Sequence, residues 1–305
     1  MKLEPRSARW GDDLHAFAAA VGDSGPVTCV GGRTQWDIGG EIVGRAAEVQ
    51  APSGLVEFEP AEMIARVGAA TPVTELHEAI SEANQFTILP EIPGATVGGV
   101  LAIGHSDHHR LGHGPLRDAL LEAIIADHSG ILVAGGGPVV KNVTGFDLCR
   151  LLVGSVGTLG FMGEIVVRTL PQPETTRWLA GPADPQPLHA QLLTATSVLW
   201  DGTTTWVGLA GRQPDVDAES RLAAGAGLAT VEGPPVLPRH RWSVDPASIS
   251  TLTGQFVAEV GVGVLHRPDP QPSRPVGPQV ELINKRIKTL FDPEGKLNPG
   301  RKVLG

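Results

Sequence analysis

The chain of 305 residues contains no tyrosine and only two cysteines, Cys29 and Cys149. Two thiols can neither build a disulfide framework nor hold an iron–sulfur cluster. Both lie in apolar stretches and read as buried thiols in a reducing compartment. No run of about eighteen apolar residues occurs. No basic-then-apolar leader opens the chain either, so neither a transmembrane helix nor a secretion signal is predicted. Basic residues are outnumbered, 24 Lys and Arg against 33 Asp and Glu, and a net charge of −9 speaks against a nucleic-acid-binding face. Also missing are the Walker Gly-Lys-Ser/Thr loop and the dinucleotide GxGxxG. What remains is a soluble globular chain, 41% apolar, with length for one large core or two domains.

What is present is organised around Val139–Leu170, VVKNVTGFDLCRLLVGSVGTLGFMGEIVVRTL. Its glycines at 154, 157, 160 and 163 recur every third residue. That spacing suits neither a helix interior nor a regular strand, where each glycine costs about 0.5–1 kcal/mol. Phe146 to Val153 reads as a short helix with Leu148, Leu151 and Leu152 on its apolar side, and Ile165 to Leu170 as a β-branched strand. Helix, glycine turn with Ser155 and Thr158, then strand would present backbone N–H groups to an anion such as a phosphate. A tight connection without ligand is the alternative.

Before this stretch, Asp12–Val21 has helical periodicity, with Leu14, Phe17, Ala18 and Val21 inward. Val27–Val30 is a short buried strand running into Gly31-Gly-Arg-Thr-Gln35, either a phosphate cradle or an ordinary turn. Leu55–Phe58 and Ile64–Val67 read as strands. Thr71 as N-cap and Pro72 at the first helical position open a helix with Val73, Leu76 and Ile80 on one face. A second glycine segment, Pro93–Ala102, precedes His105-Ser-Asp-His-His-Arg-Leu-Gly-His113. His109 and His113 are four apart, a zinc spacing on a helix. Gly104, Gly112, Gly114 and Pro115 make the segment a loop, though, and no acidic or Cys partner has matching spacing, so no metal site is expected. Leu116–Ala126 reads as a strand, Asp127–Gly130 as a hairpin turn and Ile131–Ala134 as its partner.

Pro171–Pro187 marks a domain boundary. Beyond it the pattern is helix 188–195, strand 204–210, helix 215–226 and strand 256–266. Pro268–Pro278 reads as a linker. Val280–Phe291 reads as a helix with Ile283, Ile287 and Leu290 inward.

The motif VKNVTGFDLCRLLVGSVGTLG resembles the signature of FAD-linked oxidases with the PCMH-type, vanillyl-alcohol-oxidase-like FAD-binding domain. Gly31–Gln35 is similar to that family's pyrophosphate loop GGGTK, from which Arg33 and Gln35 depart. Gly94-Ala-Thr-Val-Gly-Gly99 is similar to its GATxGG, Arg117-Asp118 to its RD, and Phe291–Arg301 to its closing FDPxGxxNPGR. Large catalytic subunits carry Glu where Val156 stands, so the chain is more like the smaller FAD-binding glycolate oxidase subunit, the GlcE type. The likeness spans about 27 to 301 and is weak between 171 and 255.

The resemblance implies an α+β fold with a PCMH-type domain of two subdomains over 1–170. A reduced ferredoxin-like α+β cap over 171–278 and a tail over 279–305 that returns to the FAD domain would follow. It implies FAD, noncovalent because no His lies in or beside the first loop. The FAD-binding residues it implies are Gly31, Gly32, Arg33, Thr34, Gln35, Pro93, Gly94, Thr96, Gly98, Gly99, His105, Ser106, Gly154, Gly157, Thr158, Gly160, Ile165 and Asn298. Arg117 and Asp118 serve equally well as a surface ion pair. Larger subunits carry H-x-G-D-G-N-x-H on a strand beside the flavin, where it binds a metal. Here Glu259-Val-Gly-Val-Gly-Val-Leu-His266 places Val262 and Val264 at oxygen-bearing positions, so no metal is expected. With tyrosine absent, a phenol that orients substrate is absent too, and no catalytic residue is assigned.

The functional expectation is an FAD-binding subunit of a glycolate oxidase/dehydrogenase-like complex, partnered by a catalytic flavoprotein and an iron–sulfur subunit. It would be cytoplasmic, or peripheral at the inner membrane through its partners. A stand-alone FAD-dependent oxidoreductase acting on a small hydroxy acid or alcohol, and a scaffold that has lost FAD, are the alternatives.

Overall fold

A computed structural model describes residues 10–23, 25–137, 147–272 and 276–302. The first part of the long motif, residues 138–146, lies outside the described residues. The chain divides into two compact units: Met1–His105 with Leu116–Pro171 and Val276–Gly305, and Ser106–Pro115 with Gln172–Pro275. The segment Ser106–Pro115, placed by sequence in the 1–170 domain, is thus part of the second unit.

The first unit begins with α1 (Asp12–Asp23), β1 (Val27–Cys29), β2 (Ala47–Val49), β3 (Leu55–Glu59), β4 (Ile64–Gly68), α2 (Val73–Ser81), β5 (Gln85–Phe86) and α3 (Val97–Ile103). A short helix, α4 (Arg110–His113), belongs to the second unit. The first unit resumes with β6 (Leu120–Ala126), β7 (Leu132–Gly136), α5 (Leu148–Leu152), β8 (Phe161–Arg168) and β9 (Leu170–Pro171). Its main sheet has the order β3-β4-β8-β6-β7, every pair antiparallel. Leu14, Phe17, Ala18 and Val21 of α1 are buried at the expected spacing. A Cβ on Gly163 would stand 2.3 Å from Leu14 Cδ1. Gly163 is therefore part of β8, where the helix lies against the strand, and β8 starts four residues earlier than the sequence suggested.

Beside this sheet, β1 and β2 pair in parallel, and the tail adds to them through a parallel bridge from Val27 to Leu297. Val27 N donates to Lys296 O at 2.8 Å, and Asn298 N to Val27 O at 2.9 Å.

Two local expectations in this unit are corrected. Thr71 does not cap α2, whose N-cap is Pro72. Its hydroxyl donates to Gly68 O at 2.6 Å and accepts from Gly54 N at 2.8 Å, tying a loop down. The helix α8 (Pro278–Phe291) has no buried residue, and Ile283 and Leu290, expected inward, are 54% and 79% exposed.

In the second unit run β10 (Thr175–Gly181), α6 (Pro185–Gln191), β11 (Ala195–Trp200), β12 (Thr205–Gly211), α7 (Gln213–Gly225), β13 (Ala229–Val231), β14 (His240–Ser243), β15 (Val257–Glu259) and β16 (Val264–Arg267). They form one seven-stranded sheet, β13-β10-β12-β11-β15-β16-β14, antiparallel throughout. The sequence pattern suggests two strands in this region, and the sheet has seven. The strand β11 is buried along nearly its whole length, so it lacks the apolar–polar alternation that announces a strand. The single strand expected over 256–266 is a hairpin, β15 and β16, reversed at Gly261 and Gly263, both at φ 79°. Val262 lies in that turn and does not share a strand face with Val264 and His266.

Candidate functional site

Three glycine segments and the tail converge on one cleft in the first unit. Its empty volume is about 830 Å³, part of it open solvent, within the usual range for ligand clefts. Gly31, Gly32, Arg33, Thr34, Gln35, Thr96, Gly98, Gly99, Gly157, Gly160 and Asn298 line it. Pro93, Gly94, His105, Ser106, Gly154, Thr158 and Ile165 do not line it. Ile165 is fully buried in the sheet core, because its place on β8 turns it inward. Thr158 is also buried, its hydroxyl donating to Ser155 O at 2.7 Å. Gly154 stands behind the wall, its N–H bonded to Leu101 O at 3.1 Å, and Ser106 belongs to the second unit.

The glycines work differently from the simplest expectation. A Cβ on Gly32 would lie 1.6 Å from Gly94 O, and one on Gly157 would lie 2.6 Å from Asn298 Nδ2. One on Gly98 would meet Ala69 Cβ at 2.8 Å. Missing side chains therefore let the loops close on one another, and the cleft follows from that closure. Two amides expected to face a ligand are already used: Gly98 N donates to Ala69 O at 2.8 Å and Gly99 N to Thr96 Oγ1 at 3.2 Å. By contrast, among the described residues no protein acceptor meets the N–H groups of Gly31, Gly32, Arg33 and Thr34. Four consecutive free amides beside an open cleft are the arrangement that holds an anion such as a diphosphate.

Arg33, Val156 and Asn298, three cleft residues, adopt positive φ of 54°, 54° and 45°. Such backbone costs about 1–3 kcal/mol for each residue and is most strained for a β-branched one. Surrounding bonds hold it. Val156 N donates to Ala102 O at 2.8 Å, and Asn298 Nδ2 to Val156 O at 2.7 Å, while Asn298 Oδ1 accepts from Thr28 Oγ1 at 2.7 Å. Asn298 is thus a strut between the tail and the turn. Lys288 Nζ adds a second strut, donating to Thr158 O at 2.8 Å.

Sequence reading missed Trp36 and Arg301 at the cleft. Two guanidinium groups lie over the Trp36 ring, Arg33 at 4.9 Å and Arg301 at 4.5 Å from its centroid. Arg301 Nη2 also donates to Trp36 O at 2.9 Å. Arg301 closes the NPGR motif and was findable there; Trp36 carries no motif. Cys29 also lines the cleft, its thiol pushed up to about 12 by burial, so it is not a nucleophile. Asp118 lies 3.8 Å from Arg150, both well exposed, so the surface partner of Asp118 is Arg150.

The second unit holds a separate polar cluster. Ser197 Oγ donates to His108 O at 2.7 Å and lies 2.9 Å from His108 Nδ1. A hydroxyl has one proton, so His108 Nδ1 is the donor in that second contact and Nε2 is bare. His109 Nδ1 is likewise the donor to Thr196 Oγ1 at 3.2 Å, because that hydroxyl donates to Gly208 O. Burial, then His109 and His266, lower His108 to about 4. Glu259 Oε1 and His266 Nε2 are 2.8 Å apart, and Glu259 Oε2 and Arg241 Nε are buried without partners. Among the described residues no group of three or more His, Cys, Asp or Glu is disposed to hold a metal ion. No helix among them is long and apolar enough to cross a membrane.

Residues 11–136 match the family model described as FAD binding domain. The glycolate oxidase subunit GlcE of Escherichia coli is 29% identical over 71% of this chain and 65% of that protein. The glycolate oxidase subunit GlcD of Bacillus subtilis is 30% identical over 41% of this chain and 27% of its own length. The chain therefore spans under two thirds of either relative. Among solved structures, alkyldihydroxyacetonephosphate synthase superposes with a TM-score of 0.67 at 14% identity, over 94% of this chain and 73% of that one. The 4-ethylphenol oxidase of Gulosibacter chungangensis gives 0.55 at 11% identity, over 73% and 56% of the two chains. Motif, family model and α+β fold agree: residues 11–136 match an FAD binding domain, and the fold of this chain is similar to that of these solved proteins.

Proposed function

We propose that this chain is the FAD-holding subunit of a glycolate oxidase/dehydrogenase-like complex. It would handle electrons from 2-hydroxy-acid oxidation together with a catalytic flavoprotein and an iron–sulfur subunit. The carrying observation is the contrast between a complete anion-cradling cleft and a hairpin in which Val262 and Val264 offer no ligand oxygen. In this reading the free N–H groups of Gly31–Thr34 hold the FAD diphosphate, and Arg33 and Arg301 add positive charge beside it. Gly157 and Asn298 keep the turn closed. Bound FAD supplies the redox chemistry, and the protein supplies position and electrostatics. Such a chain works in the cytoplasm, or at the inner membrane only through its partners.

A second reading, a stand-alone oxidoreductase, draws on Glu259, His266 and Arg241, which are polar side chains buried in the second unit. One experiment separates the two. The isolated protein is mixed anaerobically with glycolate or D-lactate while the flavin spectrum is followed. The subunit reading expects no bleaching by the chain alone and bleaching once the catalytic and iron–sulfur proteins are added. Rapid bleaching by the chain alone favours the second reading. A colourless protein that takes up no added FAD refutes both.

A further inference from the structure

Trp36, Arg33 and Arg301 line the same cleft as the four free amides of Gly31–Thr34. The tail fixes the backbone that carries the indole. Trp36 O accepts from Arg301 Nη2 at 2.9 Å, and Ile38 O accepts from Arg301 Nη1. Lys302 N donates to Gly39 O and Val43 N to Pro299 O, both at 2.8 Å. The half-buried ring thus has a set place, with the Arg301 guanidinium 4.5 Å and the Arg33 guanidinium 4.9 Å from its centroid. An aromatic face attracts cations and suits the planar guanidinium in particular.

Two like charges over one ring are less than about 10 Å apart, inside a Debye length at 0.1 M salt, and so repel each other. Among the described residues no Asp or Glu lines the cleft. The carboxylates that offset the two arginines stand outside the lining. Asp37 acts on Arg301 through its charge, and Glu48 pairs with Arg33 Nη2 at 2.6 Å. The side chains of Arg33 and Glu48 are 48% and 56% exposed, and an ion pair that open contributes little. Arg33 can therefore leave Glu48 for a stronger anion, whereas two carbonyls hold Arg301 in place. A paired positive charge beside free N–H groups matches an anion of two phosphates.

We propose that Trp36 is a positioning residue for the cofactor's diphosphate: it aligns Arg33 and Arg301 as a two-guanidinium clamp, and Glu48 occupies Arg33 until the diphosphate replaces it. This rests on the FAD reading above. The test strips the full chain of flavin and titrates it with FAD at low and at high salt. Trp36→Leu should weaken FAD binding by about 10-fold and flatten its salt dependence. Trp36→Phe, which keeps an aromatic face, should stay within about threefold of wild type. Glu48→Gln should tighten binding by about threefold at low salt, because no carboxylate then competes for Arg33. A ring that merely packs the loop would give no such gain. Unchanged or weaker binding by Glu48→Gln overturns the clamp, and does so even where Trp36→Leu fails to fold. Wild-type affinity in a folded Trp36→Leu, weaker binding with the wild-type salt dependence, or a Trp36→Phe as weak as Trp36→Leu overturns it as well. All of these leave the FAD reading in place. A wild-type chain that binds no FAD overturns that reading itself.

Discussion

The two folded units use polar groups in opposite ways. In the first, polar side chains of the tail and the turn are bonded to the protein: both ends of the Asn298 amide, the Lys288 ammonium and the Thr158 hydroxyl. Among the described residues, the backbone N–H groups of Gly31–Thr34 are left without a protein acceptor. In the second, the backbone is used up in a continuous antiparallel sheet, and side chains are left over at Glu259 and Arg241. A cofactor cradle made of main chain depends on which residues have no Cβ. A cluster made of imidazoles and carboxylates depends on protonation. The units should therefore fail under different perturbations.

The largest contrast is expected from Gly32→Val. With a Cβ placed 1.6 Å from Gly94 O, the two loops cannot close, and stoichiometric FAD should be lost. Flavin absorbance per protein and a melting curve read this directly. Retention of FAD at wild-type affinity would mean that loop closure does not shape the site. Gly157→Val, at φ 66° and 2.6 Å from Asn298 Nδ2, should behave alike.

A smaller effect, confined to the second unit, is expected from His266→Ala. It leaves the buried Glu259 carboxylate with no partner on either oxygen, at a cost of about 3 kcal/mol. The melting transition should fall while the ratio of flavin to protein stays at the wild-type value. A fall in flavin content instead would break the distinction between the units.

The smallest effect is a pH dependence. His108 is lowered from 6.5 to about 4, so between those values the unfolded chain binds the proton and the folded one does not. Stability is then present above about pH 6.5 and declines as pH falls toward 4. His113, also lowered by burial, adds to this, whereas Asp107, raised by burial, acts the other way. Melting curves from pH 7.5 to 4.5 should show the loss, and His108→Gln should flatten it.

Sequence and structure agree best where a residue type has one physical use. Leu14, Phe17, Ala18 and Val21 were readable because a 3.6-residue period leaves few alternatives. The hairpin turn at Asp127–Gly130 was readable because the Asp127 carboxylate accepts from Ser129 N and Ile131 N, both at 2.8 Å. The apolar period of Ile283, Ile287 and Leu290 in α8 was just as legible, yet the exposure of Ile283 and Leu290 was not, because periodicity shows that a face exists and says nothing about what covers it. Val262 was misplaced for a related reason: alternation along 256–266 holds only if the chain runs straight, and Gly261 and Gly263 reverse it.

At the candidate site the sequence by itself determined the glycine segments, the closing Asn298 and the residue types able to hold FAD. Those are local requirements of backbone conformation, and local chemistry specifies them. Only the tertiary structure decided which amides remain free, because Gly98 N and Gly99 N are consumed by acceptors at Ala69 and Thr96. It also decided that Arg33 and Arg301 both lie over Trp36 and that Ser106–Pro115 joins the second unit. Each of these depends on contacts between segments far apart in the chain, and no spacing within one segment encodes them.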